Sequence, residues 1–221
     1  MLLAVAGHGA RQPAAAQSAF TFGTTTVGKT TASFAANRKQ VNRYALPAAG
    51  AVTSMSIYLA PTATAGNQVM EGVVYADSQN VPASLRGVSS PLTFSSSSPA
   101  GWYTLSFPSP LKLAAGSYWI GVITGTTAKV AGYRYSKASA SRDSNANKYT
   151  SGPSNPFGTP SSDAQQMSLY ATYVAVPANT VAPSISGSAQ QGQTLTTTNG
   201  SWSGEPTSYS YSWQRCDSSG A

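Results

Sequence analysis

The sequence predicts an all-β chain, built as a jelly-roll-type antiparallel β-sandwich. Three observations carry that reading. Only 9% of the residues are charged, whereas long helices need many more Lys, Glu and Arg on their wet face. The stretch from Gly101 to Thr124, GWYTLSFPSPLKLAAGSYWIGVIT, sets Tyr103, Leu105 and Phe107 against Trp102, Thr104 and Ser106, the alternation of a strand with one buried face. Turn residues punctuate the chain at short intervals, which leaves room for about eight to ten strands and for no helix.

In chain order, Phe20 and Phe22 mark a first strand before an irregular, Thr-rich connection to Phe34. Arg38–Leu46 sets Lys39, Arg43 and Tyr44 around Val41, which predicts an edge strand blunted by charge. Pro47 to Gly50 turns the chain into Val52–Ala60, where Met55, Ile57 and Leu59 face the core and Ser54, Ser56 and Tyr58 take the other parity. In the next strand, Gln68–Ala76, either Val69, Val73 and Tyr75 or Met70 and Val74 point inward, and periodicity does not choose between them. Asp77 to Pro82 is a turn, because Asp and Asn hydrogen-bond their own backbone and Pro fixes φ. Leu85–Phe94 carries a short strand, and Ser95 to Ala100 is a polar loop. The two halves of Gly101–Thr124 are predicted to be neighbouring antiparallel strands, separated by Pro108, Pro110 and the turn at Ala114 to Gly116. Ser117–Thr124 is denser in apolar residues and reads as covered on both faces. Ala131, Tyr133 and Tyr135 share one face of the following strand. Ser136 to Gln165 reads as one long irregular segment, of a length that in compact domains is functional or disordered. Met167–Tyr173 closes the domain with Met167, Leu169, Ala171 and Tyr173 on one side.

The expected layout is a leader remnant at 1–16, the sandwich at 17–174, a linker at 175–182 and a further β segment at 183–221. The leader reading rests on an apolar start and the small residues Ala14 to Ala16. The linker reading rests on Pro177 within an Ala-containing run. No stretch approaches the ~18 apolar residues of a membrane span. The final segment carries Pro183, Ile185, Gly187, Gly192, Thr194, Leu195, Gly200, Trp202, Gly204, Pro206, Tyr209, Tyr211, Trp213, Arg215 and Cys216. In spacing it resembles the immunoglobulin-like repeats of large secreted bacterial proteins. The resemblance implies an incomplete repeat in which Trp213 packs in a core and Cys216 pairs with a cysteine further on. The main domain resembles a jelly-roll module of secreted, multidomain bacterial proteins. The residues that carry this second likeness are Val74 to Asp77, Pro82 and Leu85, Gly101 to Tyr103 and the run from Leu113 to Val122. What it implies is an extracellular accessory module, found beside glycan-active enzymes or surface anchors, with no motif that fixes a catalytic residue.

Composition limits the chemistry. The single histidine, His8, lies in the leader, so the sandwich has no imidazole for a Ser-His-Asp site, a Cys-His site or a histidine zinc site. Among the acids, Glu71 and Asp77 stand about 20 Å apart along one strand and are not the facing pair a glycosidase needs. The expectation is therefore a non-catalytic module, secreted or held at the cell surface. Asp143-Ser144-Asn145-Ala146-Asn147 begins like a calcium loop and departs from the pattern at Lys148 and Ser154. Asp143 and Asn145 with Asp163 are the candidate ligands of a structural calcium, and no other cofactor is expected.

Sugar sites use aromatic faces that stack on a pyranose and amide or guanidinium groups that take its hydroxyls. Tyr133, Arg134, Tyr135, Arg142, Asn145, Asn147 and Tyr149 bring such groups together around the long segment, with Phe157 nearby, and Trp102 has the outward parity of its strand. The competing reading puts Trp119, Tyr133 and Tyr135 in the core. A net charge of +7, with Lys129, Arg134, Lys137, Arg142 and Lys148 in one region, suits an acidic polysaccharide. No recognition motif for nucleic acid accompanies that charge. The expected partner is a polysaccharide or cell-surface glycan, and the rival is a stalk or filament subunit that self-associates without binding glycan.

Overall fold

The computed structural model describes residues 18–188 and 190–211. The leader at 1–16 with His8, and also Trp213, Arg215 and Cys216, lie outside the described residues. The chain divides into a larger unit, Ala19–Val176, and a smaller one that begins at Pro177.

The larger unit is all-β. Its strands are β1 (Ala19–Gly23), β2 (Thr30–Ser33), β3 (Arg38–Leu46), β4 (Gly50–Pro61), β5 (Asn67–Ser78), β6 (Val81–Val88), β7 (Leu92–Ser95), β8 (Gly101–Leu113), β9 (Gly116–Thr124), β10 (Ala131–Ala146), β11 (Ser161–Met167) and β12 (Leu169–Ala175). They pair in the order β1-β12-β4-β10-β3-β9-β5-β6, with β8 beside β4, β7 beside β5, and β2 and β11 beside β10. Twelve strands exceed the eight to ten expected. The Thr-rich connection after Phe22 contains β2, and Leu85–Phe94 divides between β6 and β7.

Strand β10 belongs to both layers of the sandwich. Ala131–Tyr133 pairs with β4, Arg142–Ala146 pairs with β3, and the register against β11 shifts between Lys137 and Arg142, the kind of irregularity that lets a strand bend. The long segment expected to be irregular from Ser136 is thus strand as far as Ala146 and again from Ser161. Between the layers lies one apolar core. Met55, Ile57, Leu59, Leu105 and Leu169 meet Leu46, Met70, Val74, Ile120 and Val122 there, and all are at most 1% exposed. The inward parity expected for β4, and for Met167, Leu169, Ala171 and Tyr173, holds.

Two expectations about neighbours change. The halves of Gly101–Thr124 are both strands, but β8 pairs with β4 and β9 pairs with β3 and β5. The turn at Ala114 carries the chain from one layer to the other. Period two reports which face of a strand is buried and says nothing about its partner. With a single neighbour, β8 is an edge strand, the place where Pro108 and Pro110 are tolerated. Strand β3, by contrast, is not an edge. It lies between β10 and β9, and Lys39 within it is 0% exposed.

The ambiguity in β5 also has a physical answer. Met70 and Val74 enter the main core, while Val73 and Tyr75 join a second cluster with Val41, Trp119, Ile123 and Phe157 on the far face of the same layer. Residues 147–160 cover that face. Phe157 is fully buried there, its ring edge-on to Tyr75 with centroids 4.9 Å apart. The β5–β6 hairpin turns through Gln79 and Asn80, with φ of 52° and 64°, the two-residue geometry that suits hairpin twist. Asp77, just before it, accepts hydrogen bonds from Trp119 Nε1 and Arg43 Nε, both at 2.7 Å.

In the smaller unit β13 (Ala178–Val181) pairs with β16 (Ser201–Ser203), and β14 (Ile185–Gly187) with β15 (Leu195–Thr197). Part of the stretch expected as linker, 175–182, is therefore strand. No helix among the described residues is long and apolar enough to cross a membrane.

Two stability predictions follow from this packing. A Cβ on Gly121 would stand 1.9 Å from the carbonyl oxygen of Gln40 on the paired strand. Gly121→Ala is therefore expected to cost about 1–3 kcal/mol, read as a lower urea midpoint. At Asp77, burial alone would raise the carboxyl, but the hydrogen bonds from Arg43 and Trp119 hold it below the usual carboxylate range. The stability it contributes is complete above the unfolded pKa of about 4 and is lost as pH falls through the lower folded value. Asp77→Asn should flatten that acid limb of a stability–pH curve.

Candidate ligand-binding face

The sequence-predicted residues around the long segment serve mostly to hold that segment down. Tyr133 is 3% exposed. Its ring lies 4.5 Å from Phe34, and its hydroxyl donates to Gln165 Oε1 at 2.7 Å. Tyr135 is half-buried against the main core. Arg142, 7% exposed, donates through Nη1 to Gln40 Oε1 at 2.7 Å and also to Tyr133 Oη, and it pairs with Asp163 through Nε and Nη2. Asn145 Nδ2 donates to the carbonyl of Phe157 at 2.7 Å. Asn147 bridges the loop, accepting from Ser154 N and donating to Gly152 O, both at 2.8 Å. Tyr149 packs on the second cluster, where burial first, and then the charge of Glu71, push its hydroxyl up to about 12. The reading that set Trp119, Tyr133 and Tyr135 in or against the core matches where they lie.

The calcium ligands do not converge. Asp163 is opposite Arg142 in the β10–β11 register, whereas Asp143 is opposite Ser162. Directly paired residues share a face and adjacent ones alternate, so Asp143 and Asp163 point to opposite sides of the sheet. Asp143 accepts a hydrogen bond from Ser162 Oγ, Asp163 is engaged by Arg142, and Asn145 presents its amide nitrogen to Phe157. Among the described residues no group of three His, Cys, Asp or Glu side chains comes together.

Trp102 and Arg134 lie elsewhere, on the outer face of the layer formed by β12, β4, β8 and the start of β10. There Trp102 stands opposite Tyr58 in the β4–β8 register, their rings edge to face at 5.6 Å. Tyr170 on β12 approaches the same indole at 5.0 Å. All three rings are partly exposed, so they form a row that packing covers in part and leaves in part to solvent. Small hydroxyl side chains surround them, because Ser56 lies between Tyr170 and Thr104, and Ser54 lies between Thr172 and Ser106.

The face continues past Tyr58 into a shallow depression of about 370 Å³ lined by Thr31, Ser33, Ala60, Thr62 and Gly132, among others. Gly132 makes the room. A Cβ there would come within 3.2 Å of the carbonyl oxygens of both Ala32 and Ala60. Arg134, two residues along β10 and opposite Thr31, projects on that side. It donates through Nη1 to Lys29 O at 3.4 Å, while its buried Nε has no hydrogen-bond partner. Rings, hydroxyls and a guanidinium on one open face can stack on the apolar side of a sugar and exchange hydrogen bonds with its hydroxyls.

Tyr58 and Tyr170 are the residues that sequence reasoning missed. The signal was present, since each is an aromatic on the polar parity of a strand whose other parity is core. No family model matches the chain, and no curated protein matches it.

Arg142 separates structure from binding. Its removal strands Asp163, Gln40 and the Tyr133 hydroxyl, so Arg142→Ala is expected to cost about 3 kcal/mol in chemical denaturation. Ligand affinity of the folded variant should be unchanged.

Proposed function

We propose that the chain is an extracellular, non-catalytic module that binds a polysaccharide or cell-surface glycan. The observation that carries this reading is the row Tyr170–Trp102–Tyr58, held partly open on a face otherwise made of serine and threonine hydroxyls. A soluble domain that wanted only a wet outer surface would spend polar side chains there, and an interrupted aromatic row supported from below is what a flat, partly apolar ligand needs. The adjoining depression with Arg134 gives the row a direction, since a chain of sugars leaving the rings would run across Thr31, Ser33 and Thr62. The guanidinium also favours a ligand that carries carboxylate or sulfate groups, in keeping with the net charge of +7. The resemblance to jelly-roll accessory modules of secreted bacterial proteins agrees with this assignment.

A glycan array supplies the ligand, and Trp102→Ala and Tyr58→Ala test the site. Each is expected to weaken binding at least about tenfold, roughly 1.4 kcal/mol, with circular dichroism unchanged. A protein that binds nothing on the array, or whose binding survives both substitutions, would remove the proposal.

A further inference from the structure

On the covered face of the other layer, Lys39 is fully buried and has no carboxylate partner among the described residues. Its Nζ donates to Ser154 Oγ and to the carbonyl of Phe157 at 2.8 Å, and it sits 4.2 Å from the centroid of the Phe157 ring and 5.3 Å from that of Tyr75. Two acceptors and the faces of two rings receive the charged form, and the neutral form keeps two N–H groups for those acceptors and a lone pair for attack. Burial lowers the pKa of this amine to about 8.

Directly across from it in the β3–β10 register stands Asn145, so the two side chains start from Cβ atoms about 5 Å apart. Asn145 Nδ2 donates at 2.7 Å to the same Phe157 carbonyl that Lys39 uses. The two nitrogens are therefore no farther apart than the sum of those two bonds. The other end of the amide, Asn145 Oδ1, is buried with no hydrogen-bond partner, a costly arrangement that the native contacts leave unexplained.

We propose that Lys39 and Asn145 join in an isopeptide bond that ties β3 to β10. Lys39 Nζ attacks Asn145 Cγ, a Cγ–Nζ bond forms, the Cγ–Nδ2 bond breaks and ammonia leaves. One proton passes from the attacking to the departing nitrogen, so the step needs no oxidant, metal or cofactor. Asp143 stands on the same face of β10, two residues before Asn145, and accepts a hydrogen bond from Ser162 Oγ. Its carboxyl is raised by burial first and then by Asp163, against the Ser162 hydrogen bond. The other titratable groups on this face include Arg43 of β3, Glu71, Tyr75 and Asp77 of β5 and Tyr149 of the covering loop. The cover of residues 147–160 keeps water from the amide once it has formed. This inference is independent of the glycan reading.

Peptide mapping tests it. The full chain is held at about pH 9, above the amine's pKa, then denatured and digested with trypsin. The expected product is a branched peptide joining the segments that contain residues 39 and 145, lighter by one ammonia than the two separate peptides and absent from Lys39→Met and Asn145→Ala. Asn145→Asp should yield the same branched peptide by losing water. Linear peptides carrying free Lys39 and intact Asn145 after prolonged incubation of the wild-type chain would overturn the proposal, whether or not the variants fold. So would a branched peptide that persists in Asn145→Ala.

Discussion

The larger unit depends on one constraint: the layer β3-β9-β5 is apolar on both faces. One face meets the other layer and is satisfied by it. The second face carries Val41, Val73, Tyr75, Trp119 and Ile123, which a lone sheet would leave in water at about 25 cal/mol per Å² of apolar surface. The chain answers with residues 147–160, whose Phe157 fills the middle of that face. This cover explains both the unbroken apolar run at the end of β9 and the length of the segment between β10 and β11. It also explains Lys39, because a lysine placed under a lid is deprived of water and must find protein acceptors or give up its proton.

The same constraint decides what could be read beforehand. Strands with one wet face, such as β4 and the stretch Met167–Tyr173, showed their inward residues directly through period two. Strand β5 did not, since both parities are buried and neither can stand out. Lys39 and Arg43 made β3 look like an edge because charge is the usual sign of one, yet Arg43 sits over Asp77 beside Trp119 and Lys39 beneath Phe157. Pairing lay beyond the pattern altogether. Whether β9 follows β8 as a hairpin or crosses to the other layer depends on the turn at Ala114 and on which partner buries more, neither of which alternation encodes.

The candidate site shows the converse. Asn145, Asn147, Tyr149 and Arg142 have the composition of a binding site, and the structure spends them on fastening a loop and filling the angle beside β10. Amides and phenols that satisfy a buried loop are the same groups that satisfy a ligand, so composition alone could not separate the two uses. Parity could. An aromatic on the wet side of a strand has no packing reason to be there, and Trp102 was found by that argument. Tyr58 and Tyr170 obey the same rule on their own strands, and only the register that brings them beside Trp102 needed three dimensions.

The two layers therefore differ in their outer faces, one bare and one covered by residues 147–160. On the proposed reading, a ligand held on Trp102 and Tyr58 would load β4 and β8 first. From β4 that load would reach β10, the strand that pairs with β4 at one end and with β3 at the other. The pairing of β10 with β11 is interrupted by the register shift between Lys137 and Arg142. The far end of β10, beyond that shift, is gripped by β3 through Arg142 to Ala146, and Lys39 and Asn145 face each other inside that grip. A covalent tie at that position would fasten β3 to β10 beyond the shift with a bond that does not slip, which gives the buried amine and the orphaned amide oxygen a place in the same device.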